Sequence, residues 1–82
     1  MTQISYALNQ WLCSTWRKGT RYYSIELRQD IFANWIIKRN WGRDQTRGAG
    51  QSLTTVCQNY EEALKLFQQQ NRHRHKRGYI QQ

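Results

Sequence analysis

The chain has 82 residues, a length that allows one domain with a small hydrophobic core and leaves no room for a second. Aromatic residues, 13% of the chain, supply the large side chains that such a core needs. Thirteen Lys and Arg against five Asp and Glu give a net charge of +8, which favours nucleic acid over acidic proteins or membrane surfaces as the partner. No apolar run approaches a membrane span and no signal sequence is visible, so we expect a cytoplasmic protein, with nucleoid association left open.

The N-terminal segment, residues 1–19, carries Trp11 and Trp16 and ends at Gly19. It is predicted to be an extension that forms an extra strand or a short helix, with both Trp side chains packed against the core. Residues 20–82 are predicted to be the main domain.

Three strands are predicted by alternation of apolar and polar side chains. The first covers Tyr22–Arg28, the second Asn34–Trp41 and the third Gln51–Cys57. The connection at residues 30–33 is short, which predicts an antiparallel hairpin. Residues 42–50 contain three glycines and are predicted to be a loop.

A helix is predicted after the third strand because the spacing of apolar residues changes. Asn59 and Glu62 have the spacing of a capping box, and Gly78 is placed to end the helix. Tyr79 and Ile80 are apolar again, so the chain is expected to return to the sheet there. The fold class is therefore α+β: a mainly antiparallel sheet of about four or five strands with one helix packed on it. The helix stripe comprises Tyr60, Ala63, Leu64 and Phe67.

Catalysis and metal binding are not expected. His73 and His75 lie in a basic run without an evident acidic partner, as a general base would need. Together with Cys13 and Cys57 they do not form a zinc-ligand spacing. The sequence therefore predicts a non-enzyme without cofactor, and it leaves open whether the two thiols pair.

The strongest functional signal is a cluster of cations around an aromatic residue, Lys38, Arg39, Trp41, Arg43 and Arg47. An exposed Trp can stack on a base, and Arg or Lys side chains can hold phosphates. Trp35 is assigned to the core, whereas Trp41 fits either the core or a contact with nucleic acid. A second set of cations near the helix end either adds salt-sensitive contacts or is a solvated helix end: Arg72, Arg74, Lys76 and Arg77.

The tripeptide Trp41-Gly42-Arg43 is the signature of the WGR domain, and the surrounding residues resemble that family as well. Residues 22–27 and 31–35 resemble its opening strands, 48–51 its glycine-containing hairpin, and 61–67 its helix. Arg77-Gly78-Tyr79 resembles its closing element. The likeness covers about residues 20–80 and is greatest to short bacterial versions. Asp44 and Gln45 depart from the family, which usually has an aliphatic residue and Gly there; an acid at this point would weaken phosphate binding or pair with Arg43.

The resemblance implies a sheet with one packed helix and a role in DNA binding. In DNA-dependent poly(ADP-ribose) polymerases the motif Trp lies against a terminal nucleotide, and the motif Arg takes part in DNA and interdomain contacts. Carried over, those roles fall on Trp41 and Arg43, with Gly42 keeping the backbone close. We therefore expect a DNA-binding module that favours ends, nicks or distorted duplex, with RNA left open. The alternative is a protein-interaction adaptor that docks through the Trp41–Arg43 loop, and the oligomeric state is undetermined.

Overall fold

A computed structural model describes residues 5–44 and 50–82 of the chain. A short 3₁₀ helix, Leu8–Gln10, precedes strand β1, Leu12–Lys18. The remaining elements are β2 (Arg21–Gln29), β3 (Trp35–Arg43), β4 (Gln51–Val56), α1 (Tyr60–Lys76) and β5 (Ile80–Gln81). The expected α+β fold is confirmed: α1 packs on one face of a five-stranded sheet.

The sheet has the order β4-β3-β2-β1-β5, and each neighbouring pair of strands is antiparallel. Strand β1, which comes from the segment predicted to be an extension, lies between β2 and β5 inside the sheet. Its Trp16 is 5% exposed and belongs to the core beneath α1. Residues Ile80 and Gln81 pair with β1, so the chain does return to the sheet after the helix.

The core lies between the sheet and α1. Ile25, Leu27 and Ile37 from the two central strands are fully buried, and Ala63 and Phe67 from the helix pack on them. Alternation explains this arrangement, because every second residue of a strand faces the same side of the sheet.

The ends of α1 follow the local sequence signals. Asn59 caps the N-terminus by accepting a hydrogen bond from the Glu62 backbone N–H at 2.8 Å. At the C-terminus, Arg77 is the capping residue, and Gly78 follows it with φ of 86°. That left-handed conformation turns the chain back toward β1 and is one that glycine adopts without a steric cost.

The predicted second strand ends too early. Strand β3 continues through Trp41 to Arg43, with Gly42 opposite Tyr22 and Arg43 opposite Arg21 on β2. The motif is therefore part of a paired strand rather than the start of a loop. Glycine is uncommon in strands, which is why Gly42 was predicted to begin the loop.

Candidate nucleic-acid interface

The residues of β3 are divided between the two faces of the sheet. Trp35, Ile37, Arg39 and Trp41 face α1, since they pair with the buried positions of β2. Lys38 lies on the opposite face, where Glu26 is its cross-strand neighbour. The structure therefore brings Arg39 and Trp41 together and separates Lys38 from them.

Trp41 is half-buried and stacks on Tyr23 of β2. The ring centroids are 5.7 Å apart and the ring planes differ by 13°, a parallel offset arrangement. Arg39, one position along the same face, donates to the Tyr23 hydroxyl at 3.4 Å and to Gln70 Oε1 at 3.3 Å. Tyr23 thus packs against one face of the indole, and Trp41 as a residue remains partly exposed.

Gly42 and Gly50 lie beneath the side chain of Tyr22. A Cβ atom added to Gly42 would stand 2.6 Å from the Tyr22 hydroxyl and 2.9 Å from its Cζ. A Cβ atom at Gly50 would meet both that hydroxyl and the backbone carbonyl oxygen of Trp41. Glycine at these two positions lets β3, the start of β4 and the Tyr22 ring come together, which fixes the backbone around the motif.

Positive charge collects where β1, β2 and β3 meet the turns at this end of the sheet. Arg43 and Arg21 are directly opposite on adjacent strands, and both are exposed. Like charges in that position disfavour the pair unless an anion lies near them. Asp44, the acid that departs from the family pattern, pairs with Arg17: two hydrogen bonds of 2.5 and 3.0 Å join the side chains.

That ion pair shifts the titration of both groups. The Arg17 hydrogen bond lowers the pKa of Asp44, and the positive charge of Arg17 acts in the same direction. The pKa of Arg17 is raised by the same hydrogen bond. Both side chains are 41% exposed, so solvent screens the interaction and it stabilises the fold only weakly.

Arg74 occupies a different environment from the other cations of the helix end. Its residue is 9% exposed, and its guanidinium carbon lies 4.1 Å from the centroid of the Tyr23 ring and 5.2 Å from that of Tyr79. Its Nε is buried without a hydrogen-bond partner. Arg74 therefore packs α1 against the Tyr23 and Tyr79 rings and is the least exposed of the predicted helix-end cations.

Arg72 and Lys76 are exposed and line a groove between α1 and strands β1 and β5. The groove has a volume of about 450 Å³, and its lining also includes Trp16, Asn71, His75 and Gln81. Asn71 accepts hydrogen bonds from Ser14 Oγ and Trp16 Nε1 and so joins the helix to β1. Arg77 is exposed as well, and its carbonyl oxygen accepts a hydrogen bond from Lys18 Nζ at 2.7 Å.

Arg47, the remaining predicted site residue, lies outside the described residues. Sequence reasoning missed Tyr22 and Tyr23, which set the position of the motif. Their signal was present: in an antiparallel hairpin, residues of β2 lie opposite the motif at a fixed register. The contact of Asn71 with β1 had no such signal, because the two are far apart in the sequence.

Within residues 5–44 and 50–82, no three His, Cys, Asp or Glu side chains come close enough to hold a metal ion. Neither helix of these residues is long and apolar enough to span a membrane. Cys13 is exposed and Cys57 is buried, and both are free thiols. Burial raises the pKa of each, with a smaller contribution from Glu26 and Glu62 respectively.

The sequence matches the WGR domain family over residues 8–82, and the chain belongs to that family. The WGR domain is a nucleic-acid-binding module and not a catalytic domain. A curated relative, the uncharacterized protein y4dW of Sinorhizobium fredii, is 33% identical over 63 residues. The match covers 77% of this chain and 30% of that protein, so the chain corresponds to less than a third of the relative. No solved structure matches the sequence.

Proposed function

We propose that this WGR domain binds DNA through Trp41 and Arg43 and favours ends, nicks or distorted duplex. The observation that carries the proposal is the alternation of Arg39, Trp41 and Arg43 along one face of β3. This row combines one half-buried aromatic ring with two cations at the end of the sheet where α1 also ends.

A preference for ends follows from what a duplex exposes. Inside a continuous duplex, each base pair is covered on both faces by its neighbours, whereas a terminal or nicked nucleotide presents a base face and a sugar. Trp41 is already fixed by its stack on Tyr23, so little rotamer freedom is lost when a nucleotide packs against the accessible part of the indole. A contact of this kind contributes about 1–3 kcal/mol per base.

The cations supply affinity that does not depend on sequence. Arg43 and Arg21 contact phosphates directly in this proposal, and Arg39 adds a third positive charge beside Trp41. Arg72, Lys76 and Arg77 lie at the same end of the molecule and contribute salt-sensitive contacts. Lys38 on the far face and the buried Arg74 contribute only to the long-range field. Arg47 remains a predicted phosphate contact.

The test is fluorescence anisotropy with labelled nicked, blunt-ended and covalently closed duplexes at two salt concentrations. Trp41→Leu has a matched control in Trp35→Leu, because both residues are half-buried, face α1 from β3 and contact a Tyr ring. We expect Trp41→Leu to weaken binding to the nicked duplex by roughly tenfold or more, and Trp35→Leu to leave it within about twofold.

Arg43→Gln is compared with Lys65→Gln, which removes the same charge from an exposed position on α1. We expect Arg43→Gln to reduce the salt dependence by roughly one phosphate contact and Lys65→Gln to leave it unchanged. Equal affinity for closed and nicked duplex would contradict the end preference. Absence of binding at low salt would contradict the DNA proposal itself and favour the adaptor alternative.

A further inference from the structure

Strand β4 lies at an outer edge of the sheet, and its own sequence lacks the residues that usually protect an edge. Its sequence, Gln-Ser-Leu-Thr-Thr-Val, has no charge and no proline. Five of its six residues are exposed, Leu53 at 47% and Val56 at 64%. Edge strands of soluble proteins are normally interrupted by Lys, Pro or a bulge, because an unprotected edge pairs with another strand. The opposite edge, β5, is only two residues long.

The register shows which backbone groups of β4 are directed outward. The Cys57 N–H donates to Trp35 O at 2.8 Å, so this pair is a hydrogen-bonded one. Alternation then directs the N–H and C=O groups of Thr55, Leu53 and Gln51 toward β3. Those of Ser52, Thr54 and Val56 are directed away from the sheet, toward the open side.

We propose that this edge pairs antiparallel with the same strand of a second copy of the chain, with Thr54 on the two-fold axis. In that register Thr54 lies opposite its own symmetry mate, and Ser52 lies opposite Val56 of the other copy. All three outward residues on each copy can then donate one hydrogen bond and accept one. The two five-stranded sheets would join into one. This interface is independent of the proposed DNA site, since Trp41 faces α1 and not the edge.

A second copy fits the edge better than a charged peptide because the strand complements itself. Residues placed opposite each other are hydroxyl-bearing or aliphatic, so no like charges meet across the axis. Among the residues that the structure describes, Lys38 is the nearest cation on that face, opposite Thr54 on β3. Two Lys38 residues would be three strand spacings apart, about 14 Å, which exceeds the screening length of about 8 Å at physiological salt. Repulsion between the two Lys38 side chains is therefore weak at physiological salt.

The contact is small for a protein interface, so the association is expected to be weak and to depend on concentration. The test is sedimentation equilibrium of the whole chain over a wide range of concentrations, where a 10.0 kDa monomer would shift toward twice that mass. Thr54→Pro removes an outward N–H without removing a bond to β3, and Thr54→Val keeps the N–H. We expect Thr54→Pro to abolish the dimer and Thr54→Val to retain it.

Charged variants of Thr54, the residue on the two-fold axis, test the proposal even if Thr54→Pro does not fold. Thr54→Lys and Thr54→Glu would each place like charges opposite each other, and each is expected to weaken dimerisation at least about tenfold. An equimolar mixture of the two is expected to restore it, because Lys then faces Glu. A wild-type chain that stays monomeric at the highest concentration would overturn the proposal. A dimer that tolerates Thr54→Pro, or a mixture without rescue, would also overturn it.

Discussion

Strands β2 and β3 form a long central hairpin, and different interactions hold its two ends. At the motif end, the Tyr22 ring covers two glycines and Tyr23 supports Trp41. At the other end, the turn at residues 30–34 is held by polar side chains. Asp30 Oδ1 accepts the backbone N–H groups of Phe32 and Asn34, both at 2.9 Å, which allows Ala33 to adopt φ of 64°.

A buried glutamine completes the order at the turn end. Gln29 is 6% exposed, and its Oε1 accepts from Ala7 N–H at 2.7 Å and from the Trp11 indole at 3.2 Å. Its Nε2 donates to the carbonyl oxygens of Ser5 and Ala33. Ring packing dominates the motif end, where Arg21 and Arg43 are exposed, whereas the turn end is held by hydrogen bonds from a buried side chain. If the proposed DNA contact lies at the motif end, changes at the turn end should affect stability more than DNA binding.

The largest expected effect is on the turn end. Gln29→Leu leaves two donors and two acceptors without partners, so we expect the free energy of unfolding to fall by about 2–4 kcal/mol. Urea denaturation measures the change. Gln70→Leu, which loses one long hydrogen bond to Arg39, is the control and should cost less than about 1 kcal/mol. DNA affinity at a temperature where both variants are folded should stay unchanged, and a large loss in Gln29→Leu would remove the distinction between the ends.

The next effect lies at the motif end. Gly50→Ala forces a methyl group against the Trp41 carbonyl oxygen and should destabilise the fold by about 1–3 kcal/mol. The closest contacts of Gly42→Ala are all with the Tyr22 side chain, so Tyr22→Ala should relieve most of its steric cost. Tyr22→Ala should not relieve Gly50→Ala, because the backbone contact persists. A double-mutant cycle by urea denaturation checks both expectations, and equal coupling for the two glycines would contradict this explanation.

A smaller effect is expected from the cation that joins the helix to the motif rings. Arg74→Met removes the guanidinium from the faces of Tyr23 and Tyr79 and also removes a buried Nε without a partner. The two changes oppose each other, so the net effect on unfolding should be within about 1 kcal/mol. Nicked-duplex affinity should change less than in Arg43→Gln. A greater loss of affinity in Arg74→Met would assign Arg74 to the DNA contact after all.

The smallest effect is on acid stability, to which each end contributes one carboxylate. Desolvation acts to raise the pKa of Asp30, but the hydrogen bonds from Asn34 and Phe32 together outweigh it and lower that pKa. The pKa of Asp44 is lowered by Arg17. A lowered folded-state pKa stabilises the protein above the unfolded value of about 3.9, and this contribution is lost as the pH falls through the folded value.

Unfolding measured from pH 6 down to about pH 2 should therefore be less acid-sensitive in Asp30→Asn and in Asp44→Asn than in the wild type. Added salt separates the two ends, because it screens the exposed Arg17–Asp44 pair and leaves the backbone hydrogen bonds of Asp30 in place. Identical salt responses for the two variants would contradict this difference between the ends.

Much of the fold was predictable, since alternation in β2, β3 and β4 and the helical stripe after Asn59 are local signals. Strand β1 was ambiguous because its inward-facing Ser14 is polar; its burial is compensated by the hydrogen bond that its hydroxyl donates to Asn71 Oδ1 of α1. In the candidate site, the sequence is enough to place Lys38 and Arg39 on opposite faces, because neighbouring residues of a strand face opposite sides of the sheet. The burial of Arg74 was not predictable, since it depends on Tyr79 and Tyr23 meeting after the chain turns at Gly78.

Two indole N–H groups are hydrogen-bonded within the chain, one toward the motif end and one beside the turn. Trp16 Nε1–H is bonded to Asn71 beneath the helix, at 2.8 Å, and Trp11 Nε1–H is bonded to Gln29 beside the turn. Each proton exchanges with solvent only when its own bond opens, so the two exchange rates give separate opening free energies. A ligand that binds at the motif end would slow the exchange of the Trp16 indole proton and leave the exchange rate of the Trp11 indole proton unchanged.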